Sequence, residues 1–255
     1  MAHIISVANQ KGGVGKTTTT VNLGASLADE NQRVLIVDTD PQGNATSGLG
    51  ISPADVEQDV YDVLINEVSL IDTIHQTSHK NLDLVPATIQ LAGAETELIS
   101  LMARETRLKN GIDEVVDKYD YILIDCPPSL GQLSINAFTA SHTILIPVQS
   151  EYYALEGLSQ LLNTIRLVQK HFNKALGVEG VLMTMYDART NLGAEVIQEV
   201  KTYFGDKVYN TIIPRIARLA EAPSYGKAII DYDKRSRGTL VYQELAKEVL
   251  SANEG

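Results

Sequence analysis

Residues 10–17 read Gln10-Lys11-Gly12-Gly13-Val14-Gly15-Lys16-Thr17, and no other stretch limits the fold of this chain as tightly. Three glycines in four positions are ruinous to the interior of a helix or strand, so the run must be a loop with a sharply curled backbone. Ile4-Ile5-Ser6-Val7-Ala8 before it has the apolar, β-branched character of a buried strand. Thr17–Ala28 after it places Val21, Leu23, Leu27 and Ala28 at helical spacing. Strand, glycine-rich loop and helix in that order begin an α/β unit.

The same alternation continues. Strands are expected at Ile4–Ala8, Val34–Asp38, Leu82–Pro86, Tyr121–Asp125, Ile144–Val148, Val181–Met185 and Val208–Ile213. Most are nearly continuous Ile, Val and Leu, which suits strands buried on both faces. Helical spacing recurs over Leu98, Leu101, Leu108, Ile112, Val115 and Val116, over Leu155–Val168, and over Leu240–Leu250. The expected fold is a doubly wound α/β structure, a mostly parallel sheet with helices on both faces. There is no internal repeat, low-complexity run or Pro/Gly/Ser linker, so residues 1–255 read as one domain, with 50–81 as a less regular, helical excursion at the sheet edge. Aromatic content is only 5%, with no Trp, so aliphatic side chains must fill the core.

Two further exclusions follow from composition. Cys126 is the one cysteine, which rules out an intrachain disulfide and a cysteine-only metal cluster within one chain, and fits a reducing compartment. Burial as a small hydrophobe is its expected role. The five histidines show no ligand spacing. The N-terminus lacks a signal-peptide pattern, and no apolar run approaches the ~20 residues that span a bilayer; a soluble, cytoplasmic protein is expected.

The strand–loop–helix context is that of a phosphate-binding P-loop. Gly12, Gly13 and Gly15 let backbone N–H groups face phosphate oxygens, and the following helix adds its positive end. Lys16 is expected to neutralise the β- and γ-phosphates of ATP, and the Thr17 hydroxyl to ligate Mg2+. Val14 and Thr18 complete the cradle. The run departs from G-x-x-x-x-G-K-[ST]: Gln10 stands at the first glycine, and Lys11 follows. A second loop lysine concentrates charge beside Lys16, which makes sense if bound phosphate offsets the repulsion. Two strands end in carboxylates, Val34-Leu35-Ile36-Val37-Asp38-Thr39-Asp40 and Tyr121-Ile122-Leu123-Ile124-Asp125, at the sheet edge where ligands bind. Asp125 reads as the acid that holds Mg2+ through water and Asp40 as the residue that orients the attacking water. Asp38 either holds Mg2+ or caps the turn.

With these residues the chain resembles the ParA/MinD group of deviant Walker-A ATPases, whose second, signature lysine corresponds to Lys11. The likeness extends through Asp38–Gly50, Asp125–Ser129, Glu151–Leu162 and Ile213–Ser224, and is greatest to the short chromosomal ParA proteins. It implies an ATP-bound homodimer in which Lys11 reaches the partner's phosphates, non-specific binding to double-stranded DNA on the nucleoid, and hydrolysis stimulated by a ParB-type protein, the cycle serving chromosome partitioning. Relatives also touch replication initiation. It further implies an adenine-binding loop at Pro214 and Arg215, and DNA contacts at Arg189 and Arg218.

Other branches fit less well. A nitrogenase-type iron protein needs two cysteines per subunit. A MinD-like membrane-positioning ATPase needs a basic amphipathic tail, whereas Leu245–Gly255 carries one Lys and two Glu. A P-loop metabolic ligase needs a separate substrate constellation, and none stands apart in the sequence. The net charge of −11 argues against a nucleic-acid binder overall, yet 215–237 holds six basic and three acidic residues. Within it Lys227 and Arg235 join Arg218 as candidate DNA contacts; Arg215 either lines the base pocket through its backbone or touches DNA. Binding through a few phosphate contacts is salt-dependent and indifferent to sequence.

Overall fold

The computed structural model describes residues 1–150, 156–187 and 191–253. Among the described residues, eight strands form one sheet in the order β3-β4-β2-β5-β1-β6-β7-β8, parallel throughout except for β3. They are β1 (His3–Val7), β2 (Val34–Asp38), β3 (His75–Gln76), β4 (Leu82–Val85), β5 (Tyr121–Asp125), β6 (Thr143–Gln149), β7 (Gly177–Tyr186) and β8 (Val208–Pro214). The seven strands expected from apolar runs are present, β2 and β5 with the expected bounds and the other five with ends shifted by one to four residues. β3 was not expected; it is a two-residue polar strand paired antiparallel to β4 at the sheet edge.

The apolar runs are continuous because each of these seven strands feeds two cores. In β2, Leu35 and Val37 enter one core, while Val34 and Ile36 enter the other. Ile122 and Ile124 in β5 alternate with Tyr121 and Leu123 in the same way. The second core is closed chiefly by α1 (Lys16–Asp29) and by the last helix, Arg237–Asn253, which pack on one another. The first is closed by helices that include Leu91–Glu97, Arg107–Asp113, Gln132–Ala140, Glu156–His171 and Asn191–Phe204.

The apolar spacing over 98–116 does not give one helix. Ala103 adopts a left-handed conformation with φ 52°, and the segment divides into 3-10 turns followed by Arg107–Asp113. Residues 50–81 form the short helix Val60–Ile65 between 3-10 turns, ending in β3. No helix among the described residues is long and apolar enough to cross a membrane.

Candidate functional site

β1 lies between β5 and β6, and its C-terminal end carries the glycine-rich loop. Register sets the chemistry beside it: Val7 pairs with Asp125, and Asp125 with Asp38. Both carboxylates therefore emerge next to the loop. Gly15 has φ 87°, a left-handed conformation that turns the chain into α1 and suits a residue without a side chain. Asn9 ties the loop down on both sides: its Nδ2 donates to the Pro147 carbonyl at 2.7 Å, and its Oδ1 accepts from the Lys11 N–H at 3.0 Å. The Thr184 hydroxyl donates to the Val14 carbonyl at 2.8 Å.

The two loop lysines differ in setting. Lys16 is only 7% exposed, and its Nζ donates to the Lys11 carbonyl at 3.2 Å. Burial pulls its pKa down, opposed chiefly by Asp125. Lys11 is half-buried and is not among the residues lining the cleft. That cleft has a volume of about 480 Å3 and is lined by Gly12, Gly13, Gly15, Lys16, Thr17, Thr18 and, from the opposite side, Asp40, Asn44 and Lys227.

Asp125 is fully buried, and two hydroxyls of α1 hold it: Thr17 Oγ1 donates to Oδ2 at 2.7 Å and Thr20 Oγ1 to Oδ1 at 2.9 Å. Burial raises its pKa, and these hydrogen bonds work the other way. Asp38 is also fully buried. Its Oδ2 accepts from the Thr46 N–H and hydroxyl at 2.9 and 2.8 Å, and its Oδ1 from the Asp40 N–H at 3.1 Å. Burial and the neighbouring Asp125 charge push its pKa up. Both oxygens thus serve the turn between β2 and the short helix Asn44–Gly48. Asp40 faces the cleft and caps its own turn by accepting from the Gln42 N–H at 3.0 Å. Cys126 is buried, and burial pushes its thiol up to about 12, so it stays protonated.

A second cavity of about 520 Å3 adjoins the cleft and shares Gly15, Thr18 and Met185 with it. Its walls are mostly apolar and include Ile213, Pro214, Arg215, Ile216 and Leu219. A polar cleft opening into an apolar chamber fits a nucleotide with its phosphates on the loop and its base beyond. Magnesium also fits the residues present. The Thr17 hydroxyl and Asp125 are already joined, and the described residues contain no cage of three or more His, Cys, Asp or Glu. An ion there would be completed by water and phosphate oxygens, as is usual for Mg2+.

The candidate DNA contacts are dispersed. Arg218 is exposed and paired with Asp233. Arg235 is exposed on the surface. Lys227 lines the phosphate cleft, and Arg215 the apolar chamber. Arg189 lies outside the described residues, as do Glu151–Leu155 of the family-like segment. The sequence reading missed Thr20, Thr46 and Met185. Thr20 was detectable, since it follows Thr17 by one helical turn on the same face; Thr46 and Met185 carry no local signal.

A family model described as an AAA domain matches residues 2–178. The sporulation initiation inhibitor protein Soj of Bacillus subtilis is 68% identical over 249 residues, 98% of each chain. The chromosome-partitioning ATPase Soj of Treponema pallidum is 49% identical over 98% of each chain. Among solved structures, cobyrinic acid a,c-diamide synthase from Mycobacterium smegmatis with bound ADP and magnesium superposes with a TM-score of 0.88 at 37% identity, covering 100% of this chain and 96% of that one. The same synthase is also solved with an ATP analogue and magnesium, at a TM-score of 0.88 and 36% identity, and ATP and Mg2+ are the cofactors of this chain. Loop, carboxylates, sheet order and full-length identity converge: the chain is an ATPase belonging to the ParA/Soj family of chromosome-partitioning proteins.

Proposed function

We propose that the protein is a slow, ATP-dependent dimerising switch that binds double-stranded DNA without sequence preference on the nucleoid and is reset when a ParB-type protein stimulates hydrolysis. Action on replication initiation belongs to the same proposal. The observation that carries it is the division between the loop lysines: Lys16 lies inside the phosphate cleft, and Lys11 stands outside it on the same loop. A lysine so placed has an obvious use when the phosphates of a second subunit come within reach.

In this mechanism the loop N–H groups and Lys16 hold the phosphates, and the Thr17 hydroxyl, with Asp125 behind it, holds Mg2+. The bound ion would neutralise developing phosphate charge. Asp40 orients the attacking water. Lys11 of the partner offsets charge on the transferring phosphoryl group. Pro214 and Arg215 line the base chamber, and Arg218, Arg235, Lys227 and Arg189 supply phosphate contacts to DNA.

Two other readings remain in play. A MinD-like membrane role is disfavoured because the last helix buries Val241, Leu245 and Val249 in the core and packs on α1. A metabolic ligase is favoured by the likeness to the diamide synthase, but the identity to Soj is far higher. The test is ATP turnover measured alone, with DNA, and with DNA plus an N-terminal ParB peptide. Stimulation by DNA and peptide together supports the partition cycle. No stimulation by either, with turnover that depends on a small amine donor and carboxylate acceptor, would replace it with the ligase reading.

A further inference from the structure

Met185 has φ 52°, a left-handed conformation for a residue with a full side chain near the end of β7. Such a conformation is disfavoured by Cβ sterics and persists only where the surroundings over-determine it. Here they do. On one side, Thr184 gives its hydroxyl to the Val14 carbonyl at 2.8 Å and its carbonyl to the Ser150 N–H at 3.3 Å. On the other, the Tyr186 carbonyl accepts from the Arg215 N–H at 3.1 Å. Between these anchors the register with β8 advances three residues, Met183 to Tyr186, against two, Ile212 to Pro214. The extra residue is taken up as a bulge, a device that re-aims a side chain.

The side chain is aimed at the phosphate loop. A Cβ built on Gly15 would meet Met185 Cε at 3.9 Å. Met185 is also one of three residues, with Gly15 and Thr18, that line both the phosphate cleft and the apolar chamber. A nucleotide occupying both must pass its sugar over this junction.

We propose that Met185 is a nucleoside-binding residue whose thioether packs on the sugar–base part of the bound nucleotide at the junction of the two cavities, and that the bulge is retained for that placement. A flexible, polarisable thioether suits the edge of an aromatic base. The proposal rests on the nucleotide reading of the loop and goes beyond it, since it assigns the residue that recognises the nucleoside and not the phosphates.

The test compares Met185→Gly and Met185→Asn, both compatible with a left-handed backbone, with Met185→Leu, which restores apolar bulk. Affinities are measured for MgATP, MgADP and inorganic tripolyphosphate, with circular dichroism and thermal melts to verify folding. The expected result is a loss of about tenfold for ATP and ADP in the Gly and Asn variants, tripolyphosphate binding unchanged, and Leu within about twofold of the parent. ATP affinity unchanged in the Gly and Asn variants would overturn the proposal. So would equal weakening of ATP and tripolyphosphate, which would mean that the loop had been distorted. If the parent protein binds tripolyphosphate but not ATP, the nucleotide reading itself fails.

Discussion

Replacing Thr20 by valine tests the claim that α1 holds Asp125 with two hydroxyls of different purpose. Thr20 is fully buried, and its Oγ1 lies 2.9 Å from Asp125 Oδ1 and 3.1 Å from the Lys16 carbonyl. Valine has nearly the same shape, so no cavity opens, and the change is confined to one donor to a buried carboxylate. A hydrogen bond to a charged group contributes ~1.5–3 kcal/mol, and about 2 kcal/mol is expected here. For a chain of this size each kcal/mol lowers Tm by ~2–4 °C, giving a fall of about 4–8 °C. Thr20 does not line the cleft, so turnover should stay within about threefold of the parent, under 1 kcal/mol of barrier. Thr17→Val is the contrast. Thr17 is half-buried and lines the cleft, so its loss should lower MgATP turnover about a hundredfold, ~2.7 kcal/mol of barrier, with a smaller fall in stability. Urea unfolding and steady-state phosphate release give both quantities. A loss below ~0.5 kcal/mol in Thr20→Val would refute the hydrogen-bond argument, and equal turnover in the two variants would refute the division of roles.

Asp40→Ala is expected to keep ATP binding and dimerisation while losing turnover; normal phosphate release would remove Asp40 from the chemistry. Arg218→Ala should weaken DNA binding on unrelated sequences alike and lower the salt slope by about 1, with ATP-dependent dimerisation intact; unchanged affinity by fluorescence anisotropy places the DNA surface elsewhere. Glu179→Gln tests a pH dependence far from the nucleotide. Burial opposes the charge of Glu179, but hydrogen bonds from His3, Thr143 and Asn253 outweigh it and hold the carboxyl below its ordinary 4.5. The stabilisation is therefore present above pH 4.5 and is lost as pH falls through the lowered value. The variant should be less stable at pH 7 by about 1–3 kcal/mol, and the gap should close in acid; a gap independent of pH would mean that the charge is not what stabilises. Gly43→Ala should cost about 2 kcal/mol, because Gly43 has φ 61° and its added Cβ would lie 2.9 Å from the Ala87 carbonyl oxygen; a thermal melt matching the parent would show that the turn after Asp40 can shift to admit it.

Much of the scaffold was legible in the sequence because it depends on local rules. A parallel strand buried on both faces is a run of Val, Ile and Leu, and β2 and β5 were bounded to the residue for that reason. A glycine-rich turn between such a strand and a helix can do little else than face a ligand, which made Lys16 and Thr17 recognisable. Asp38 and Asp125 stood out because they end strands, and Asp40 because it follows two residues after one. What failed also has a cause. β3 is two polar residues held by its neighbour, and no periodicity can show in two positions. The apolar spacing over 98–116 predicted more helix than forms, because a left-handed Ala103 interrupts it and apolar spacing carries no sign of such a break.

Other features were decided only by tertiary structure. Asp38 and Asp125 become neighbours because β2 and β5 pair in that register, across 87 residues of chain. The surroundings of the carboxylates then part them: the oxygens of Asp38 accept hydrogen bonds from Thr46 and the Asp40 N–H, whereas those of Asp125 accept from Thr17 and Thr20. Lys227, read from local charge as a candidate DNA contact, lines the wall of the phosphate cleft. The loop with two lysines was visible in the first seventeen residues. That one of them lies inside the cleft and the other outside follows from how the chain folds around Asn9, Pro147 and Thr184, because burial and direction are properties of packed neighbours and not of residue type.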